Sequence, residues 1–201
     1  LFSYRAHSSL SEIIAPTSPV VPKLCYVNEP YPSIFSCSLD GSLFQRTHTG
    51  EEREILCDRT SAEAFEMNCY TMRPGSVATP RDYLKVEAVA AYNTTDGHLQ
   101  FHPKDREDCG YILTLGGSRI YIAGDTEPTP ELKALKNIDI AFLPVNQPYT
   151  MTVDQAVEAV KAIRPTIFYP YHYGEVEEKT DIDRLARELE GVTEVRIRPM
   201  E

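Results

Sequence analysis

An aspartate at the end of one apolar run and a histidine at the end of another are the residues of this chain best placed to do chemistry. In the run IYIAGDTE, at 120–127, an apolar strand pattern ends at Gly124, where the backbone can turn tightly, and Asp125 follows. Ligands gather at the carboxyl ends of strands in layered α/β proteins, and a carboxylate there offers both oxygens to a metal ion. The other reading of Asp125 is a cap on the turn before the next helix. In YPYHYG, at 169–174, a short strand runs through the rigid Pro170 to His172, which two tyrosines flank. A neutral imidazole at a strand end is a common zinc ligand. Tyr171 and Tyr173 are suited to lining a pocket and donating hydrogen bonds, with a histidine packed among aromatics as the alternative.

Two further stretches are polar loops that follow strand-like runs. The first carries Asn93, His98, His102 and Lys104. His98 and His102 are four apart, but Gly97 and Pro103 argue against one helix face. His98 reads as a solvated loop residue, and His102, held between Phe101 and Pro103, is the better candidate. The second, NQPYTMT at 146–152, offers amides and Tyr149 to contact a substrate or brace metal ligands from behind.

Positioning such groups requires a scaffold, and from Tyr83 onward the sequence supplies one. Residues 84–91, 111–115, 119–123, 138–144, 166–169 and 194–197 carry strand patterns, with Gly116 and Gly117 marking a hairpin. Thr129 followed by Pro130 opens a short helix over 129–135. Thr152 with Gln155 three residues on is a reciprocal cap for a second helix. The stripe Val153, Ala156, Val157, Val160 and Ile163 keeps helical spacing until Arg164 and Pro165 stop it. A third amphipathic helix covers 181–189 and ends at Gly191. Strands interleaved with helices predict an α/β layered domain. Residues 1–82 differ: prolines recur, Cys25, Cys37, Cys57 and Cys69 fall there, and only 61–67 suggests a helix. This region is expected to be irregular or partly disordered, with residues 83–201 as the folded unit.

Composition bounds the function. The net charge of −10 argues against nucleic acid and anionic membrane as partners. No apolar run approaches the roughly 20 residues of a membrane span, and residues 1–15 have no apolar core of signal-peptide length. Five cysteines without a C-x-x-C pair make neither a disulfide nor a zinc framework and point to a reducing, cytoplasmic setting.

Taken in order, IYIAGDTE, DIAFLPVNQPYTM and YPYHYG resemble the C-terminal half of the metallo-β-lactamase superfamily over about residues 82–201. Within it they are similar to the small metal-dependent hydrolases of the ascorbate 6-phosphate lactonase type. The resemblance implies a four-layer αββα sandwich with one or two metal ions, zinc or manganese, at one edge of the paired sheets. It implies hydrolysis of an ester, lactone or phosphoester small molecule by hydroxide generated at the metal. By the same resemblance Asp125 and His172 are catalytic metal ligands. Asn93 stands where the family usually has its middle histidine, so His102 is assigned that role. Lys104, Tyr149 and Tyr171 would receive the oxyanion or an anionic group of the substrate, with Asn93 also among the substrate-binding residues. The family's H-x-H-x-D-H signature is absent, the nearest text being THTGEE at 47–52. An N-terminal half that is atypical or incomplete leaves two expectations. Missing ligands come from residues such as His48, Glu51 or Asp58 or from a partner chain, or the chain is a catalytically impaired half-domain that binds or oligomerises. An uncovered sheet would expose apolar surface and favour a homo-oligomer.

Overall fold

The computed structural model describes residues 33–37, 43–47, 55–64, 69–174 and 179–198. Four strands, β1 (Ser33–Cys37), β2 (Leu43–Thr47), β3 (Ile55–Cys57) and β4 (Cys69–Thr71), form a small sheet in the order β1-β2-β3-β4. Helix α1 (Arg59–Ala64) lies between β3 and β4 in sequence. The large sheet has seven strands in the order β11-β10-β9-β8-β7-β6-β5. They are β5 (Val77–Arg81), β6 (Leu84–Ala90), β7 (Cys109–Leu115), β8 (Ser118–Ile122), β9 (Ile140–Pro144), β10 (Ile167–Tyr171) and β11 (Glu194–Val195). Strands β8 to β11 run parallel, whereas β5 to β8 form an antiparallel meander.

The large sheet is apolar on both faces, as it must be when both are covered. Successive side chains point to opposite faces, so each strand feeds two cores. Tyr111, Leu113, Ile120, Ile122, Ile140 and Phe142 pack on one side with Leu56 of β3 and Met72 just beyond β4. Ile112, Tyr121, Ala141, Leu143 and Phe168 pack on the other, beneath the helices. Those helices are α2 (Pro130–Lys133), α3 (Val153–Ile163) and α4 (Ile182–Glu188). The stripe of α3 is buried as its spacing predicts, and Thr152 and Gln155 close the reciprocal cap. The Thr129 hydroxyl accepts from Leu132 N at the start of α2. The layers are those of the expected α/β sandwich.

Within 1–82, expected to be irregular or partly disordered, the structure describes regular elements over parts of 33–81. Strands β1 to β5 and helix α1 occupy much of 33–81, and β5 joins the large sheet through β6, across the change of texture near Tyr83. These strands are short, and β5 contains Pro80 and lies at the edge of the large sheet. A strand stabilised mainly by its neighbours leaves little local pattern.

Candidate active site

Strands β6, β8, β9 and β10 all end at the same edge of the large sheet, and β7 begins there. Every loop carrying a candidate residue therefore leaves from that edge. Gly124, at φ 68°, turns the chain out of β8, and Asp125 follows it. At the end of β10, His172 adopts φ 62°, a left-handed conformation that non-glycine residues seldom hold outside functional or tightly constrained sites. This turn brings His172 Nε2 to 3.3 Å from Asp125 Oδ1. That oxygen is buried and receives no hydrogen bond from a described residue. His102 Nε2 lies 4.0 Å from the other oxygen, Oδ2. Asp125, His172 and His102, named from sequence, are thus brought together. Asp125 does not cap α2, whose cap is Thr129.

Two hydrogen-bonded clamps hold this edge. Thr126 Oγ1 accepts from Tyr92 N at 2.9 Å, and Glu127 N donates to Tyr92 O at 3.1 Å. Glu127, fully buried, accepts on Oε2 from Thr94 N (2.7 Å), Thr94 Oγ1 (3.0 Å) and Thr95 N (2.7 Å). Burial works to raise this carboxyl, but those donors outweigh it and hold it below its ordinary value. Asn93 forms the second clamp, its Nδ2 donating to His98 O (3.1 Å) and Tyr149 O (2.8 Å).

A cavity of about 230 Å³ opens beside Asp125, lined by Asp58, His102, Arg106, Asp108 and Cys109 among others. Asp58 reaches it from the start of α1, where its Oδ1 accepts from Ser61 N at 2.8 Å. Arg106 Nε donates to both oxygens of Asp108, at 2.8 and 2.7 Å, and its Nη2 also meets Asp108 Oδ2. Burial pushes the Asp108 carboxyl up, but the Arg106 guanidinium bound to both its oxygens outweighs it and holds it low. Burial pushes the Cys109 thiol up to about 12, so without a metal ion beside it the thiol stays protonated at neutral pH.

The remaining sequence candidates fall in different places. Tyr171, expected to receive a substrate group, is fully buried and its hydroxyl donates to Gly124 O at 2.6 Å. Its hydrogen bond positions the turn that carries Asp125. Lys104 points to Tyr92 Oη (3.1 Å) and Glu131 (3.5 Å), and these two partners raise its pKa; it is not among the cavity's lining residues. Asn93 is buried and acts as a clamp. Tyr149 is 42% exposed and meets Phe101 edge-on, at 4.8 Å between ring centres, so it remains open to a ligand. Sequence reasoning missed Arg106 and Asp108, whose only signal was the charged run KDRED at 104–108, beyond Pro103.

A catalytic metal ion takes about three protein ligands. Asp125 and His172 suit two of them: a carboxylate oxygen without a donor faces an imidazole nitrogen. Among the described residues no group of three or more His, Cys, Asp or Glu side chains is arranged to hold an ion. His48 and Glu51 lie outside the described residues.

Comparison with known proteins bears on the family and the fold. The family profile described as "Beta-lactamase superfamily domain" matches residues 45–173. A UPF0173 metal-dependent hydrolase of Symbiobacterium thermophilum is 40% identical over 85 residues, covering 38% of this chain and 38% of that protein. Another, from Natranaerobius thermophilus, is 37% identical over 141 residues, covering 63% of this chain and 60% of that protein. The chain thus spans 38% and 60% of the length of these two relatives. A solved structure from Parabacteroides distasonis, assigned as a metal-dependent hydrolase, superposes with a TM-score of 0.68 at 32% identity. The superposition covers 90% of this chain and 100% of that one. Residues 45–81, which read from sequence as unlike the family, lie inside the profile match. A match that runs from the small sheet to the loop of His172 places the chain in the beta-lactamase superfamily, to which it belongs.

Proposed function

We propose that this chain is a metal-dependent hydrolase acting on a small-molecule ester, lactone or phosphoester, with Asp125 and His172 as two of its metal ligands. The observation that carries the reading is the buried Asp125 Oδ1, without a hydrogen bond, 3.3 Å from His172 Nε2. A carboxylate oxygen left unpaired in this way costs stability unless something positively charged meets it. The names of the relatives support metal dependence, and zinc or manganese suits a site of carboxylate and imidazole. Such an ion would supply Lewis-acid polarisation and a water of lowered pKa. The chain's own residues bind and orient: Tyr171 and Gly124 aim Asp125, Glu127 and Asn93 hold the loop of His102, and Tyr149 offers an exposed ring beside it. A lactonase-like branch is part of this proposal, as are a cytoplasmic setting and self-association. No described helix is long and apolar enough to cross a membrane.

Among the described residues no third ligand is grouped with these two, which favours a second reading, a catalytically impaired domain that binds or oligomerises. Elemental analysis of the purified chain, beside the double variant Asp125→Ala, His172→Ala, separates the two. Near-stoichiometric zinc or manganese that disappears in the variant is expected, and a screen of lactones and phosphoesters then follows. Absence of metal from both proteins would end the hydrolase reading for this chain.

A further inference from the structure

His102 has surroundings that a metal ligand should not have. Arg106 Nη2 lies 2.9 Å from His102 Nδ1. A guanidinium carries only N–H donors and keeps its charge throughout the accessible pH range, so the ring nitrogen it meets must be the acceptor. A neutral imidazole that accepts at Nδ1 carries its single proton at Nε2. Nε2 is also the nitrogen that faces Asp125, 4.0 Å from Oδ2. A ligating histidine is arranged the other way round: its second N–H goes to a carboxylate or carbonyl, leaving the ligating nitrogen free. The carboxylate that could receive Nδ1–H is present, but Asp108 Oδ2 stands 3.9 Å away, beyond hydrogen-bond reach. Both its oxygens are instead engaged by Arg106 Nε. Asp108 therefore holds the guanidinium, and the guanidinium sets the ring.

We propose that Arg106, anchored by Asp108, fixes His102 as its Nε2–H tautomer, so that His102 donates a hydrogen bond into the cavity instead of coordinating metal. The acceptor this donor suits is an oxygen bearing partial or full negative charge, such as a carbonyl or phosphoryl oxygen of a ligand lying against Asp125. Arg106 is then a positioning residue. The inference rests on the chain's own hydrogen bonds and holds whether or not the protein hydrolyses anything.

The test uses the full chain with ¹⁵N-labelled histidine, at a pH where the rings are neutral. Long-range proton–nitrogen spectra, assigned with His102→Gln, should show His102 protonated at Nε2 and bare at Nδ1. Addition of zinc chloride should leave that pattern in place while the His172 signals move. A His102 ring protonated at Nδ1, or one whose Nε2 loses its proton to zinc, would overturn the proposal. Arg106→Leu supplies a second reading. With the guanidinium gone, Asp108 is free to accept from Nδ1–H, so the ring should flip to the other tautomer; an unchanged tautomer refutes the role of Arg106. Calorimetric titration with zinc adds an arm that needs no altered Arg106. His102→Gln should bind zinc within about threefold of the parent chain, whereas loss of a true ligand weakens binding by about tenfold or more. A tenfold loss would return His102 to the ligand set. If the parent chain binds no zinc, the metal-hydrolase reading fails while the tautomer spectrum still decides this one.

Discussion

At the scale of single residues, Tyr171 shows how a buried side chain serves a site it does not touch. Its hydroxyl reaches across from β10 to the carbonyl of Gly124, and Asp125 is the next residue. Tyr171→Phe removes the donor, leaves the carbonyl buried, and should destabilise the fold by about 1–3 kcal/mol. It should also loosen the turn, so zinc affinity should fall although no proposed ligand has been removed. Urea unfolding and a zinc titration of the same variant check both effects; loss of stability with unchanged affinity would refute the positioning role. Asp125 and His172 were legible because each stands at a strand end followed by a turn. Tyr171 was recognised as a donor, but its acceptor lies 47 positions away in sequence and could not be read. Arg106 was not legible at all, since a charged loop residue looks the same in solvent as on a histidine ring.

At the scale of elements, the strand, hairpin and helix signals from Tyr83 onward correspond closely to β6 through β11 and α2 through α4. Local periods sufficed there because these elements are long, capped or joined by tight turns. The first-half strands carry no such periods, which is why β3 and β4, three residues each, escaped notice. Gly110, in β7, offers a sharper test of how the elements meet. A Cβ added there would lie 2.4 Å from Ala123 O, a backbone atom in the turn that leads to Asp125. Neither backbone can yield without parting β7 from that turn. Gly110→Ala should therefore cost roughly 1–3 kcal/mol or more, as overpacking does in a dense core. A thermal midpoint equal to that of the parent chain would show that the turn moves freely, and with it the proposed rigidity of the Asp125 loop would go.

At the scale of the whole molecule, the two cores on either face of the large sheet hold the strands, but the functional edge depends on polar clamps between loops. Glu127 is the strongest of these, and its ionisation ties the stability of that edge to pH. Three donors to Oε2 hold the folded carboxyl below its ordinary value of 4.5. The unfolded chain therefore binds this proton more readily than the native one. The contribution is fully present above the unfolded value, and it is lost as pH falls through the folded value. Asp108, Glu131 and Glu194 are also held low, so acid unfolding of the parent chain alone would not isolate Glu127. The comparison is with Glu127→Gln, which keeps an amide oxygen for the three donors but has no charge and places its N–H₂ toward His98 Nδ1. Near neutral pH the variant should be less stable than the parent. The gap should narrow on acidification, because only the parent loses a carboxylate. Urea midpoints from pH 7 down to about 3 measure the gap directly. Two parallel curves would mean that the clamp acts through shape alone, and that charge on Glu127 contributes nothing to holding the loop of His102 against Asp125.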